Sequence, residues 1–328
     1  MPDQNMMTVN RCAVCGSDHT VEYLRAPDRF HGRIKTYQMV RCPVCSLIRL
    51  ADPPPPSEMK EHYGAQYDSA ISGPGEDPEH WRERRDILLH YKSGGQVLDL
   101  GCSSGGFLAS LRSPSWQLFG IEMSESVAET ARQKCGAEVF VGDILNAPFP
   151  PNSFDAITCF HVFEHLYQPR EVLAKISEWL KPGGVFFAMM PNIDSAGARI
   201  FRSYWYALEL PRHLYHFSPK SLRCLAHSVG LEEVSMSLGR ELFIEGSARY
   251  VMDAGLNRIG FRRVPLAQAK TPSLAWRVVR KIFRLTLLPV LTGLASFAGD
   301  GESIHAVFRK PLSMADRNQR DPHAEQRR

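Results

Sequence analysis

The chain has 328 residues, 44% apolar and 10% aromatic, enough to bury a full core and to build one large domain with a small one beside it. Its 39 basic and 35 acidic side chains leave a formal charge of +4, too little to require nucleic acid as a partner. No apolar run reaches the roughly 18 residues of a membrane span, and the first dozen residues lack a signal-peptide core, so the sequence reads as cytoplasmic.

Four of the eight cysteines form two CxxC pairs, Cys12 with Cys15 and Cys42 with Cys45, 26 residues apart. In a reducing compartment two such pairs suit a structural zinc ion held by four thiolates, whereas a thioredoxin-like redox motif would carry one pair before a helix. Between the pairs, residues 20–24 and 35–40 are rich in β-branched and aromatic side chains, which predicts a hairpin. A zinc ribbon is therefore expected over 8–52. Without a dense basic cluster, scaffolding is its better role. Four prolines, Pro53 to Pro56, open a linker over 53–78. Ser57 is read as the cap of a short helix reaching Tyr63. A helix over 79–91 follows, stopped by Gly94 and Gly95.

Residues 96–110, QVLDLGCSSGGFLAS, read as a buried strand, a loop of small residues and a helix, the arrangement that lets a backbone touch a nucleotide-like cofactor. A second strand over 116–122 ends in Glu122, 21 residues beyond Gly101, where a carboxylate can hold two ribose hydroxyls. A helix over 126–135 follows, then a strand over 138–142 with Asp143 at its end. A strand over 154–160, a helix over 169–180, a turn over 181–184 and a strand over 185–190 complete the alternation. The pattern predicts an α/β fold, a doubly wound parallel sheet with ligands at the carboxyl ends of its strands. A nicotinamide fingerprint is disfavoured, since Leu108 stands where its third glycine would be.

VLDLGCSSGGFL, Glu122, GDI at 142–144, FDAITCFHVFEHL and LKPGGVFF together resemble, in order and spacing, the class I S-adenosylmethionine-dependent methyltransferases. The resemblance implies a Rossmann-like seven-stranded sheet within 79–310 and S-adenosyl-L-methionine as cofactor. It assigns Asp99, Gly101, Cys102, Ser103 and Gly105 to the methionine part, Glu122 to the ribose, and Asp143 and Ile144 to the adenine. Met123 and Phe160 complete the cofactor set. Ser103 departs from the glycine usual in the family. A local reading of Asp143 remains open, as a helix cap.

The chemistry candidates are His161, Glu164 and His165, which a helical turn brings to one face. One use is general-base catalysis by a histidine that Glu164 orients. The other is a divalent metal, as in methyltransferases that carry ExxEH near this position, with His161 replacing the first glutamate. Cofactor-pocket and structural roles stay open too. Further on, the aromatic segment Phe201, Tyr204, Trp205, Tyr206 and PRHLYHF at 211–217 suits a sugar ring or another planar-faced molecule. Within it His213 is a second base candidate, or a histidine that merely holds the loop. The chain lacks the [DNS]-P-P-[YF] motif of base-modifying N-methyltransferases, and also a proline-cysteine nucleophile.

A helix ending at Gly230 and a sixth strand over 231–238 come next. Residues 239–300 are read as a helical insertion before the last strand, with eight bases and no acid between Ala254 and Gly299. It is expected to act as a lid over the acceptor, as a peripheral membrane contact through 274–298 on the inner membrane face, or as an RNA contact. The final strand spans 303–309, and residues 311–328 read as a disordered tail. The layout resembles bacterial methyltransferases of polysaccharide and natural-product pathways, which implies transfer to a hydroxyl, less readily a carbon, of a sugar, glycan or other small molecule. Nucleic acid is the disfavoured partner. An RNA methyltransferase and a non-catalytic adaptor that binds the cofactor are the alternatives.

Overall fold

A computed structural model describes residues 11–63, 78–239, 243–258 and 301–312, with isolated helical positions between 278 and 289. Apart from those positions, the cationic segment from Arg262 to Arg284, the membrane-contact stretch and the tail beyond 312 lie outside the described residues.

The cysteine-rich start folds as β1 (Val21–Pro27), β2 (Thr36–Arg41) and β3 (Ile48–Leu50), antiparallel neighbours in that order. Helix α1 (Pro56–Met59) begins one residue before the expected cap. Pro56 carries a preset φ and needs no amide partner in the first turn, so the helix starts on it, Pro55 precedes it without a side-chain cap, and Ser57 lies inside. A 3-10 turn, Lys60–His62, continues to Tyr63.

After α2 (Pro78–Tyr91) the main sheet is laid down by β4 (Gly95–Leu100), β5 (Trp116–Glu122), β6 (Glu138–Val141), β7 (Phe154–Phe160) and β8 (Leu180–Pro191). Between them run α3 (Gly106–Ser110), α4 (Glu125–Cys135) and α5 (Pro169–Trp179). Helix α4 stops at Gly136, whose φ of 70° is the left-handed cap that glycine adopts freely. Strand β8 is longer than expected. The 181–184 turn sits inside it as an irregularity, with pairing that jumps from Phe154–Leu180 to Ala156–Val185.

Helix α6 (Ala196–Phe201) leads to β9 (Tyr215–His216), α7 (Pro219–His227), β10 (Glu232–Gly239), α8 (Phe243–Arg258) and β11 (Ser303–Arg309). Ser218 and Ser221 close α7 with a reciprocal capping box. The seven strands lie in the order β10-β11-β8-β7-β4-β5-β6, parallel from β8 to β6, with β11 antiparallel to both of its neighbours. Two-residue β9 joins the other sheet, beside β3.

The α5 stripe of Val172, Leu173, Ile176 and Trp179 is buried, as its spacing requires. One apolar cluster runs from it through Leu98, Ile157 and Phe217 to Met39, Leu47 and Ile48 of the cysteine module. Met39 is fully buried there. A Met39→Ala substitution is therefore expected to cost about 2–5 kcal/mol, read in urea, with both sheets unfolding in one shared transition.

Candidate functional site

Two loops meet at the carboxyl end of the two central strands. The first leaves β4. Gly101 has φ +67°, and a Cβ on it would lie 2.5 Å from the Val162 side chain, so this position needs glycine twice over. Ser103 takes φ +49° and Gly105 +77°, so the serine accepts the left-handed geometry that glycine would take without cost. Glu122, at the end of β5, is fastened to this loop. Its Oε2 accepts the Ser103 amide at 3.1 Å, and its Oε1 accepts the amides of Met123 at 2.8 Å and Ser124 at 3.1 Å. Met123 stands beside it, largely exposed.

Asp143 follows β6, and its Oδ1 accepts the Leu145 amide at 2.8 Å, capping the 3-10 turn Ile144–Asn146. The capping role left open for Asp143 is thus present. Asp99 lies beneath the loop. The Thr158 hydroxyl donates to its Oδ1 at 2.6 Å, and burial, opposed by that hydrogen bond and by Arg84, raises its carboxyl to about 7. Cys102 is buried with its thiol pushed up by desolvation. Phe160 packs edge-on against Phe107 and Phe187. Arg84, which sequence reasoning passed over, reaches from α2 across the Phe160 and Trp81 rings.

The second loop leaves β7. His161 has φ +56°, and its amide donates to the Met189 carbonyl at 2.8 Å. This is a strained conformation for a side-chain-bearing residue, at the place where ligands bind in this architecture. Residues Phe163–His165 form a 3-10 turn that turns Glu164 inward to 1% exposure. Among the described residues, neither Glu164 oxygen has a hydrogen-bond partner. The nearest cationic candidate, His161 Nδ1, is 3.5 Å from Oε1. Burial pushes this carboxyl up, but His161, His213 and His165 outweigh it and hold the group down at about 2.

Three histidines surround this turn, each with one ring nitrogen turned to a backbone carbonyl. His165 Nδ1 lies 3.2 Å from the Arg212 oxygen, His213 Nδ1 2.9 Å from that of Ala207 and His216 Nε2 3.1 Å from that of Leu208. A carbonyl only accepts, so those nitrogens carry the protons, and the neutral rings of His165 and His216 keep a lone pair on the other nitrogen. Burial, seconded by His213, pushes His165 down to about 4 and His216 to about 3. Glu209, at φ +37°, accepts from Arg212 Nη2 at 3.2 Å and lies 3.8 Å from His213 Nε2.

His161, Glu164, His165 and His213 are thus brought together, and Glu164, His165 and His213 offer three ligand atoms within 4.8 Å of one another. Tyr63, whose hydroxyl is 3.0 Å from His165 Nδ1, belongs to the same group, as does Glu209. No motif marks either one. Only the fold brings Tyr63 to His165, whereas Glu209 lies four residues before His213. The aromatic segment behaves otherwise. Trp205, Tyr215 and Phe217 are core residues at 2% exposure or less, so they provide no open face for stacking.

Cys12, Cys15, Cys42 and Cys45 are likewise clustered, with all four sulfurs within 4.8 Å of one another. All are free thiols, the Cys12–Cys45 pair at 3.4 Å and the Cys15–Cys42 pair at 3.5 Å. Sulfurs on a tetrahedron around one zinc ion would be about 3.8 Å apart, so the donor set fits such an ion.

The histidines make acid stability predictable. An unfolded histidine takes up its proton near 6.5, whereas folded His216 resists until about 3. Between those values the unfolded state holds the extra proton, so stability falls as pH drops below 6.5. Urea unfolding at pH 7, 6 and 5 is expected to show this loss. A His216→Gln variant should flatten the slope by up to about 1.4 kcal/mol per pH unit.

Residues 76–236 match the family described as a methyltransferase domain. An uncharacterized methyltransferase of Geobacillus sp. is 34% identical over 130 residues, covering 38% of this chain and 61% of the relative. The ubiquinone biosynthesis O-methyltransferase of Methylococcus capsulatus is 29% identical over 187 residues, covering 53% and 79%. Among solved structures, an S-adenosylmethionine-dependent methyltransferase of Archaeoglobus fulgidus aligns with 71% of this chain and 95% of its own, at 16% identity and a TM-score of 0.47. The chain spans about three fifths of the Geobacillus relative's length. By the family match and the glycine-bearing first loop, residues 76–236 are a class I S-adenosylmethionine-dependent methyltransferase domain.

Proposed function

We propose that this protein transfers a methyl group from S-adenosyl-L-methionine to a hydroxyl of a small molecule, and that a structural zinc ion occupies its four-cysteine cluster. The observation that carries the reading is the group of histidines beside Glu164 at the end of β7, each with one ring nitrogen bonded to a backbone carbonyl, next to the loop that leaves β4. The cofactor supplies an electrophilic methyl group on sulfur. Residues 99–105 would hold its methionine part, with Phe160 beside that loop against Phe107, Glu122 and Met123 at the ribose, and Asp143 and Ile144 toward the adenine.

On the acceptor side, the lone pair left on His165 or His213 takes the proton as the acceptor oxygen attacks. The buried Glu164 carboxylate, kept ionised, stabilises the imidazolium that forms. That the Methylococcus capsulatus relative is an O-methyltransferase supports oxygen as the acceptor atom. With Trp205, Tyr215 and Phe217 buried and Phe201, Tyr204 and Tyr206 partly exposed, the reading rests on hydroxyl chemistry, with a sugar as one class the assay includes.

A second reading is favoured by the unsatisfied Glu164 oxygens. With His165 and His213 they form a donor set for a divalent cation, and the backbone carbonyls on the far side of each ring are the orienting partners that metal-bound histidines ordinarily have. A cation held there would acidify the acceptor hydroxyl in place of the base.

Calorimetry is expected to show S-adenosyl-L-methionine binding that weakens at least about tenfold, or about 1.4 kcal/mol, in Glu122→Ala. Unchanged binding would overturn the cofactor assignment. Methyl transfer from labelled cofactor into a mixture of phenols, sugars and glycans is expected to fall about 10²–10⁴-fold in His165→Gln. Metal analysis of the purified chain should find one zinc that Cys42→Ser abolishes. A further divalent ion lost in Glu164→Gln would establish the second reading.

A further inference from the structure

Asp28 follows β1 in the cysteine module, far in sequence from every candidate catalytic residue, yet it is fully buried. Its Oδ1 accepts the His31 amide at 3.0 Å. Its Oδ2 lies 2.9 Å from His31 Nδ1 and 3.2 Å from His62 Nδ1. A carboxylate with three donors around it, one of them a backbone amide, is a fixed point.

From this fixed point two paths run to the same atom. On the first, His62 is held by Asp28, and the next residue, Tyr63, places its hydroxyl 3.0 Å from His165 Nδ1. On the second, Arg212 Nη1 lies 3.4 Å from His31 Nδ1 and donates to the His62 carbonyl at 3.5 Å, with its guanidinium over the Phe30 ring. Its own carbonyl lies 3.2 Å from His165 Nδ1. The guanidinium is fully buried and also binds Glu209, the acid beside His213.

Asp28, His31 and His62 could themselves be taken for metal ligands, since their donor atoms lie within 4.8 Å of one another. The charges argue against it. Arg33 Nη1 is 3.2–3.3 Å from both nitrogens of His62, and Arg212 is against His31, so two guanidinium groups already crowd the ring nitrogens that a cation would need.

We propose that Asp28 is a positioning residue for the methyl-transfer site: through His62–Tyr63 and through Arg212 it holds both groups that keep the proton of His165 on Nδ1, leaving the Nε2 lone pair for the acceptor proton or a metal. The Arg212 carbonyl cannot donate, so the proton must be on Nδ1 for that contact to be a hydrogen bond, and the Tyr63 oxygen shares the same proton as a second acceptor. This inference rests on the function proposed above. It makes the cysteine module a contributor to the catalytic geometry rather than an attachment to it.

The test is nitrogen-15 NMR of the histidine rings in the full chain at neutral pH, with the His165 signals assigned by their loss in His165→Gln. In the wild-type protein His165 is expected as the single tautomer protonated on Nδ1. In Asp28→Asn, with cofactor affinity retained, the signals should move toward an average of the two tautomers. Tyr63→Phe should leave Nδ1 protonated, because the Arg212 carbonyl remains. If Asp28→Asn does not fold, the double variant His31→Gln with Tyr63→Phe loosens both paths, the ring that Arg212 faces and the hydroxyl on His165, and is read the same way. A proton found on Nε2 in the wild type, or an unmoved tautomer in a folded, cofactor-binding Asp28→Asn or double variant, would overturn the proposal. The readings fail separately: absence of cofactor binding with the tautomer as described removes the transferase reading, whereas cofactor binding with the wrong tautomer removes only the role of Asp28.

Discussion

The structure depends on a short ladder. Ile48 pairs with His216 and Arg49 with Tyr215, and just beyond them the Leu50 amide donates to the Leu214 carbonyl. On the other side the Leu214 amide donates to the Glu164 carbonyl at 2.8 Å. A strand that begins three residues after Cys45 is thereby tied, through one intervening segment, to the turn that buries the candidate catalytic carboxylate. Such a segment has few bonds of its own, so its place is set by what flanks it. The cysteine cluster stiffens one flank and the seven-stranded sheet the other.

Three of the six side-chain-bearing residues with positive φ among the described residues lie around the candidate site. Ser103, His161 and Glu209 all adopt positive φ without being glycine. Each costs free energy that the surroundings must offset. Ser103 is held by Glu122, His161 by the Met189 carbonyl, and Glu209 by Arg212. The polar groups there are satisfied mostly by backbone, which leaves the imidazole lone pairs and the Glu164 oxygens as the unspent capacity of the site.

Much of this was legible in the sequence. The strand-loop-helix around Gly101, the acid at Glu122 and the two CxxC pairs are local patterns, and local patterns survive without tertiary information. The fold class followed from alternation alone. Tyr63 and Asp28 were not legible, because their meaning comes from contacts across 102 and 34 residues of chain that no period or spacing encodes, whereas Glu209 lies three residues before Arg212 and carried no motif to mark it. The aromatic run up to Phe217 could not be sorted for a related reason. Composition cannot distinguish an open stacking face from the inside of a core, and Trp205 and Phe217 lie on the inside.

Gly101 and Val162 give this arrangement a further meaning. They belong to different loops, one of which would carry the methyl donor while the other faces its recipient, and there is no room for even one carbon between them. The two loops therefore cannot drift apart in evolution or be exchanged singly in a chimera. A new acceptor turn brought in from a relative would have to arrive with its own first loop, so this protein's repertoire of acceptors is expected to change by replacement of paired segments rather than by remodelling one wall at a time.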